Sequence, residues 1–249
     1  MTPPVIKENH HEANNHINKE TLSSIIESAQ ISLGKNDFLK AKALFETANS
    51  IDPNNDYILQ KLALSTYKSK HPSHVTALEE AISILSKLNL QTTTDPETLG
   101  LAGAIYKRLY EELRNIEMLN KSIFYYEKGF YIKNDYYNGI NLAFLLNMRG
   151  NVQEDTNNAI TDYTLANRVR EKVIEICEAI FSSKDFKDRS DQYWVVATLE
   201  EAYYGLENTE KYNEFQKISR SFSKENWERE TTEIQIAKIE ELLASSPLT

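Results

Sequence analysis

The chain has 249 residues, a net charge of −9 and a hydrophobic fraction of 41%, so it contains enough apolar side chains for a buried core. The acidic balance argues against nucleic acid as a partner, because nucleic-acid binders normally present a dominant basic face. A single cysteine excludes an intrachain disulfide and a cysteine zinc cluster. We therefore expect a reduced, cytoplasmic protein, and the absence of any run of about 18 apolar residues predicts no membrane segment.

Residues 1–19 are polar, rich in Asn and His, and without a periodic apolar pattern, which predicts a disordered tail. Three histidines in this tail could in principle bind a metal: His10, His11 and His16. A flexible segment would lose entropy on forming such a site, and no cysteine or second histidine cluster stands nearby in the sequence. The favoured interpretation is a solvated tail, with no metal and no cofactor.

From about residue 20 onward, apolar residues recur every three and four positions, which is the spacing of one helix face. The clearest stripe lies within residues 36–55 and consists of Phe38, Ala41, Phe45, Ala48 and Ile51. Small residues at two fixed positions, an aromatic between them and a closing proline, Pro53, are typical of the second helix of a tetratricopeptide unit. With a first helix at residues 22–33, this unit has the expected length of about 34 residues.

Further amphipathic stretches predict nine more helices, at residues 57–67, 72–88, 97–114, 117–132, 137–149, 163–182, 190–206, 210–222 and 226–244. The clearest start lies at Asp95, Pro96 and Glu97, which supply an N-cap, a first-turn proline and a charge that suits the helix dipole. Residues 150–158 are polar and predict an irregular break. The predicted fold is an all-α tetratricopeptide-like solenoid of five helix pairs plus a C-terminal capping helix, in a single domain of residues 20–249.

Four short motifs follow one another in the middle and later parts of the chain. They are a Gly-x-Ile-Tyr-Lys run, an aromatic-rich helix, a Gly-Ile-Asn-x-Ala-x-Leu-Leu run and a Tyr-Trp pair, located at residues 103–107, 125–130, 139–146 and 193–194. Through these motifs, residues from about 95 to 230 resemble the TRAF-binding helical-repeat domain. That domain occurs in the regulatory region of apoptosis signal-regulating MAP kinase kinase kinases and in bacterial proteins.

The resemblance implies a stack of tetratricopeptide-like helix pairs that binds proteins and helps to regulate a signalling output. It does not imply phosphotransfer, because the chain has no kinase domain and no Gly-rich loop. It also does not identify a TRAF protein as the partner.

Six motif residues have structural explanations that come first: Gly103, Tyr106, Gly129, Gly139, Tyr193 and Trp194. We expect Gly103 and Gly129 where two helices touch, since a missing side chain allows close packing. The aromatic residues are expected in the core between helices, with polar tips at its edge. Asn141 stays open between two interpretations, because it could bridge backbone groups or line a binding groove.

Catalysis is not expected. Adjacent acids such as Glu111 and Glu112 point about 100° apart on a helix and cannot flank one scissile bond. The common hydrolase and nucleotide-binding motifs are absent from the sequence. Cys177 stands in helical step with apolar neighbours, which favours a buried thiol over a nucleophile.

The first helix of each tetratricopeptide pair lines the concave face, and the predicted register places nine residues on or near it: Tyr57, Gln60, Tyr67, Lys68, Lys107, Arg108, Asn138, Asn141 and Arg149. Four of the nine are cationic in a protein that is acidic as a whole. This predicts a groove for a partner segment that carries carboxylates. The alternative interpretation is a set of ordinary solvated helix residues.

The sequence thus predicts a non-catalytic adaptor that regulates a signalling or effector partner. A sensor that holds a peptide or small molecule in the groove is the alternative. The last helix, residues 226–244, is strongly acidic outside its apolar stripe. It is predicted to cap the end of the repeat stack, with self-association through this helix as the alternative.

Overall fold

The helix boundaries come from a computed structural model that describes residues 9–248, with side chains from residue 19 onward. The described residues form eleven α-helices, one short 3₁₀ turn at Phe186–Asp188 and no strand. The helices are α1 Asn9–Gly34, α2 Phe38–Ile51, α3 Asp56–Ser69, α4 His74–Ser86, α5 Pro96–Leu113, α6 Ile116–Lys133, α7 Tyr136–Gly150, α8 Thr156–Phe181, α9 Gln192–Gly205, α10 Thr209–Phe222 and α11 Asn226–Leu243. The predicted all-α class of helix pairs with one closing helix is confirmed.

Two helices begin earlier than the sequence pattern indicates. Helix α1 begins at Asn9 and not near residue 22, while the disordered tail over residues 1–19 stays a prediction. Residues 9–19 contain no glycine or proline, and a helix that is already nucleated extends by one hydrogen bond per residue. Residues 1–8 and the side chains of the three tail histidines lie outside the described residues.

Helix α8 begins at Thr156, within the segment that was predicted to be a break. The reason is an N-cap: the side chain of Asp155 accepts a hydrogen bond from the backbone N–H of Asn158 at 3.0 Å. The first turn of α8 is polar, so apolar periodicity alone does not reveal it.

Side-chain caps fix most of the other helix starts. Asp37, Asn55, Ser73, Asp135 and Asn208 each accept a hydrogen bond from a backbone N–H in the first turn of the following helix. Each cap contributes about 1 kcal/mol to helix stability. The local sequence therefore determines where the chain leaves one helix and enters the next.

The structure consists of two compact units. The first comprises the chain up to Thr93 together with Ala104–Arg114, and the second comprises Thr94–Gly103 together with the chain from Asn115 onward. A single domain over residues 20–249 stays a prediction.

In the first unit, each helix packs on the next one along the chain, from α1 to α4. Three residues of the predicted stripe on α2, Ala41, Phe45 and Ala48, are fully buried. Ile51 at the end of the stripe is 39% exposed. The small residues let the neighbouring helices approach, as expected for a tetratricopeptide unit.

In the second unit, helices α6 to α10 also pack in sequence, and α7 contacts α9 while α9 contacts α11. Contacts between every second helix are those of stacked helix pairs. Helix α11 buries Ile236 and Ile239, and its Leu242 carbonyl accepts a hydrogen bond from the hydroxyl of Tyr163 at 2.6 Å. The last helix therefore closes this unit, while self-association through its exposed Trp227 stays a prediction.

A buried arginine joins three helices of the second unit. Arg170 on α8 is fully buried and donates to the side-chain carbonyl of Asn147 on α7 at 2.5 Å. Its guanidinium lies directly against Gly205 on α9, where any Cβ would collide with it. Burial lowers the pKa of Arg170 to about 10, so the group remains a cation at neutral pH.

No helix within residues 9–248 combines the length and the apolar character that crossing a membrane requires.

Gly103 provides a test of the close helix packing. A Cβ at this position would lie 2.6 Å from the ring of Tyr126, which is 1% exposed. We therefore expect Gly103→Ala to lower the free energy of unfolding by about 1–3 kcal/mol through overpacking. The measurement is the urea midpoint of the far-ultraviolet circular dichroism signal.

Gly34→Ala is the matched control, because a Cβ there meets nothing within 4 Å. Alanine favours the helix by up to about 1 kcal/mol over glycine, so this variant should be neutral or slightly stabilised. Equal midpoints for the two variants would contradict the packing role of Gly103.

Candidate protein-binding surface

The nine residues predicted to line a groove are divided between the two units. The first unit contains Tyr57, Gln60, Tyr67, Lys68, Lys107 and Arg108, and the second contains Asn138, Asn141 and Arg149. We therefore describe the two sets separately, and the groove that would join them stays a prediction.

The most distinctive set in the first unit is built around the ring of Tyr67. The guanidinium of Arg108 on α5 lies 5.0 Å from the ring centroid, and the Nζ of Lys68 lies 5.8 Å from it. Both are distances at which a cation is attracted to the face of an aromatic ring. Arg108 also donates to the carbonyl of Ala104 at 2.8 Å, which holds its side chain along the helix.

Lys70 adds a third cation to this set. We call Lys68, Lys70 and Arg108 the basic cluster. Lys70 ends helix α3 in a left-handed conformation, with φ of 55°. Sequence reasoning did not include Lys70, although two lysines in the Lys-Ser-Lys segment at the end of the helix could have indicated it.

The pKa of Lys68 reports the electrostatics of the basic cluster. It is lowered from its ordinary value, first by burial and then by the positive charges of Arg108 and Lys70. The cluster thus places like charges near one another, and because Lys68 and Lys70 are exposed, solvent weakens their repulsion. A bound carboxylate would relieve this repulsion.

The remaining predicted groove residues of the first unit differ in exposure. Tyr57 is 36% exposed, its hydroxyl accepts a hydrogen bond from Gln30 at 2.7 Å, and the Nζ of Lys61 lies 5.6 Å from its ring. Gln60 is only 8% exposed, so most of its side chain belongs to the interior. Lys107 is half-buried.

Asn138 in the second unit is buried, at 1% exposure. Its amide donates to the carbonyl of Pro96 at 3.2 Å and to the carboxylate of Asp135 at 2.8 Å. Its side chain also occupies the space left by Gly129, where a Cβ would lie 2.8 Å from the amide carbon. Asn138 therefore links helices in the interior and is not part of an exposed face.

Asn141 and Arg149 are also bonded within the protein. The amide of Asn141 donates to the carbonyl of Tyr137, one turn back on α7, at 2.9 Å. Arg149 forms a two-pronged ion pair with the buried Asp162, with distances of 2.9 and 2.6 Å, and it donates to Asn120 at 3.3 Å. Arg149 is one of the four cations predicted to line the groove. Its bonds instead join α7 to α8 and α6.

The motif residues lie at helix contacts. Gly103 faces Tyr126, and its carbonyl accepts a hydrogen bond from the hydroxyl of Ser122 at 2.7 Å. Gly139 faces Phe130 and Val173.

The aromatic motif residues also form packing contacts. The hydroxyl of Tyr193 hydrogen-bonds that of Thr232 at 2.7 Å. The ring of Trp194 lies 5.0 Å from that of Tyr193 and 5.7 Å from that of Trp227. Tyr106 is half-buried on α5.

Two observations on the described residues bear on chemistry. Cys177 is buried, and burial raises the pKa of its thiol, so the reactive thiolate is disfavoured. Among residues 19–248, no three His, Cys, Asp or Glu side chains converge in a way that could hold a metal ion.

Comparison with known proteins adds one family. Residues 37–146 match the family model of Tetratricopeptide Repeats-Sensor. The chain carries a tetratricopeptide-like domain. The matched stretch runs from the N-cap of α2 into α7, is less than half of the chain, and includes the basic cluster.

Tetratricopeptide-like domains are typically interaction scaffolds without catalytic activity, and they bind protein partners. The crystal structure of MamA protein is similar with a TM-score of 0.47 and 18% sequence identity, over 81% of this chain and 91% of that one. That similarity is too weak to add to the assignment. No curated protein matches the chain.

The basic cluster predicts a measurable effect on Lys68. Replacing Arg108 by glutamine removes one of the two charges that lower the pKa of Lys68 while preserving most of the side-chain volume. We therefore expect Arg108→Gln to raise this pKa. The measurement is a titration of the Lys68 side chain by nuclear magnetic resonance with labelled lysine.

Arg114→Gln is the control, because Arg114 lies at the end of the same helix over the ring of Tyr110. It is not among the charges that act on Lys68. The same upward shift in both variants, or none in Arg108→Gln, would show that the cluster does not exist in solution.

Proposed function

We propose that this protein is a non-catalytic adaptor whose basic cluster binds a partner segment that carries carboxylates. The observation that supports this best is the approach of Lys68 and Arg108 to one tyrosine ring, with Lys70 as a third positive charge acting on Lys68, in a chain of net charge −9. Like charges held near one another are unfavourable by themselves. A bound anion would attract all three cations and offset their mutual repulsion, which would contribute to its affinity.

The chemistry of the cluster suits a carboxylate better than a neutral group. The Arg108 guanidinium has five N–H donors in a planar fork, and one of them is occupied by the Ala104 carbonyl. The remaining donors can bind a carboxylate in two-pronged geometry, with Lys68 as a second charge. Hydrogen bonds to charged groups contribute about 1.5–3 kcal/mol each.

The partner that we propose is a protein, since this is the general role of tetratricopeptide-like domains. The resemblance of residues 95–230 to the TRAF-binding domain supports a regulatory role toward a signalling or effector protein encoded separately. A cytoplasmic location belongs to the same proposal.

A sensor is the second candidate function, and the description of the matched family as a sensor favours it. In this case the ligand would be a peptide or small molecule, and its binding would change the relative orientation of neighbouring helix pairs. The adaptor and sensor proposals share the same surface but differ in the size of the ligand.

A peptide selection tests the adaptor proposal. Random twelve-residue peptides displayed on phage and selected on the full chain should be enriched in Asp and Glu. The double variant Lys68→Glu with Arg108→Glu should reduce the affinity of a selected peptide by about tenfold or more. Affinity is measured by fluorescence anisotropy, and folding by circular dichroism.

Lys184→Glu with Lys187→Glu provides the matched control, because both lysines are exposed in the second unit and the net charge changes equally. Selected peptides without acidic residues would count against the proposal. Equal weakening by the two double variants would also contradict it, since the effect would then depend on total charge alone.

A thermal-shift screen separates the sensor from the adaptor. A small ligand present at a hundred times its Kd stabilises the protein by about 2.7 kcal/mol. If the protein is a sensor, one compound of a panel of metabolites and short peptides should raise the Tm of the wild type but not that of Lys68→Glu with Arg108→Glu. If no compound does so while acidic peptides bind in the selection, the sensor proposal fails.

A further inference from the structure

Helices α9, α10 and α11 line an open pocket of about 420 Å³ in the second unit. It lies where α9 turns into α10 and where α11 ends. Its walls are formed by Tyr204, Glu207, Thr209, Tyr212, Asn213, Glu240, Leu243 and Ala244. No residue of this pocket belongs to the basic cluster.

The pocket walls contain two carboxylates, Glu207 and Glu240, and no lysine or arginine among these eight residues. Helices α9 and α11 both end here, at Gly205 and Leu243, and the C-terminal end of a helix carries a partial negative charge. Helix α10 begins here, at Thr209, and adds a partial positive charge, which the two full carboxylate charges outweigh. The pocket therefore favours a positively charged occupant.

Two tyrosines give the pocket an aromatic corner. The rings of Tyr204 and Tyr212 lie 4.9 Å apart at an angle of 66°, so their faces point in different directions. The hydroxyl of Tyr212 accepts a hydrogen bond from the amide of Gln216 at 2.5 Å, which fixes the ring. The faces of tyrosine rings attract organic cations through the negative part of their quadrupole.

The electrostatic field of the carboxylates reaches this corner. The pKa of Tyr204 is raised, first by burial and then by the negative charges of Glu240 and Glu207. Both carboxylates therefore act on Tyr204. The pKa of Tyr212 is raised first by burial and then by the charge of Glu200, while the positive charges of Arg220 and Arg229 act in the opposite direction. Leu243 and Ala244 add an apolar wall. A strongly hydrated inorganic ion would gain no binding energy from contact with this wall.

We propose that this pocket binds a small organic cation, namely an ammonium group that carries alkyl substituents. Carboxylates supply the charge, the tyrosine pair supplies cation–π attraction, and the apolar wall accepts the alkyl carbons. The same chemistry occurs in a free cation such as choline and in a methylated lysine side chain of a partner. The proposal goes beyond the adaptor function and does not depend on it.

The backbone at Glu207 suggests a conservative substitution that removes its carboxylate. Glu207 has a left-handed conformation with φ of 57°, which it shares with Asn36, Asn89 and Asn134 after α1, α4 and α6 and with Lys70 and Arg114 after α3 and α5. Asparagine adopts this conformation more readily than glutamate. Glu207→Asn should therefore fold at least as well as the wild type.

The experiment measures choline binding to the full chain by isothermal titration calorimetry, with 3,3-dimethyl-1-butanol as the uncharged molecule of the same shape. We expect saturable binding of choline and at least about tenfold weaker binding of the alcohol. Glu207→Asn with Glu240→Gln, and separately Tyr204→Leu, should each weaken choline binding by about tenfold. Glu241→Gln is the matched control, because Glu241 is exposed and does not line the pocket.

A peptide that contains trimethyllysine, compared with the same peptide containing norleucine, distinguishes the two sources of the cation. Tighter binding of the trimethyllysine peptide than of choline identifies a partner side chain, and the reverse identifies a free cation. The proposal is overturned if neither cation binds saturably, or if choline and the alcohol bind equally. It is also overturned if Glu241→Gln weakens binding as much as the pocket variants do.

Discussion

Close contact between a glycine of one helix and a large side chain of the next sets the spacing of the helices in the second unit. Tyr126 lies against Gly103, Asn138 against Gly129, and Arg170 against Gly205. A methyl group at any of these glycines would overlap the facing side chain. Since packed interiors tolerate little added volume, these contacts fix the distance between helices, and the positions of all surface residues depend on that distance.

The same packing determines which polar residues remain available for binding. Asn138 and Arg149 look like surface residues in a helical pattern, yet one bridges two helices in the interior and the other pairs with the buried Asp162. Buried polar groups need partners because desolvation is otherwise costly. In the first unit, Lys68 and Lys70 of the basic cluster are exposed, and the positive charges of Arg108 and Lys70 act on Lys68.

The two candidate sites have opposite charge and lie in different units. The basic cluster suits a carboxylate, and the pocket between Tyr204 and Glu240 suits an organic cation. Each combines charge with an aromatic ring, which gives recognition of shape as well as of sign. A helical repeat supports such sites at several places because each helix pair exposes its own set of side chains.

Local sequence determined the helices of this protein. Caps such as Asp37 and Asp135, together with the spacing of Ala41, Phe45 and Ala48, fix the starts and inward faces within a few residues. Tertiary structure alone decided that Asn138 is buried and that Tyr204 and Glu240 line one pocket. The physical reason is the separation of the interacting residues in the sequence. Hydrogen bonds within a helix join residues a few positions apart, whereas burial and pockets depend on which helices pack together.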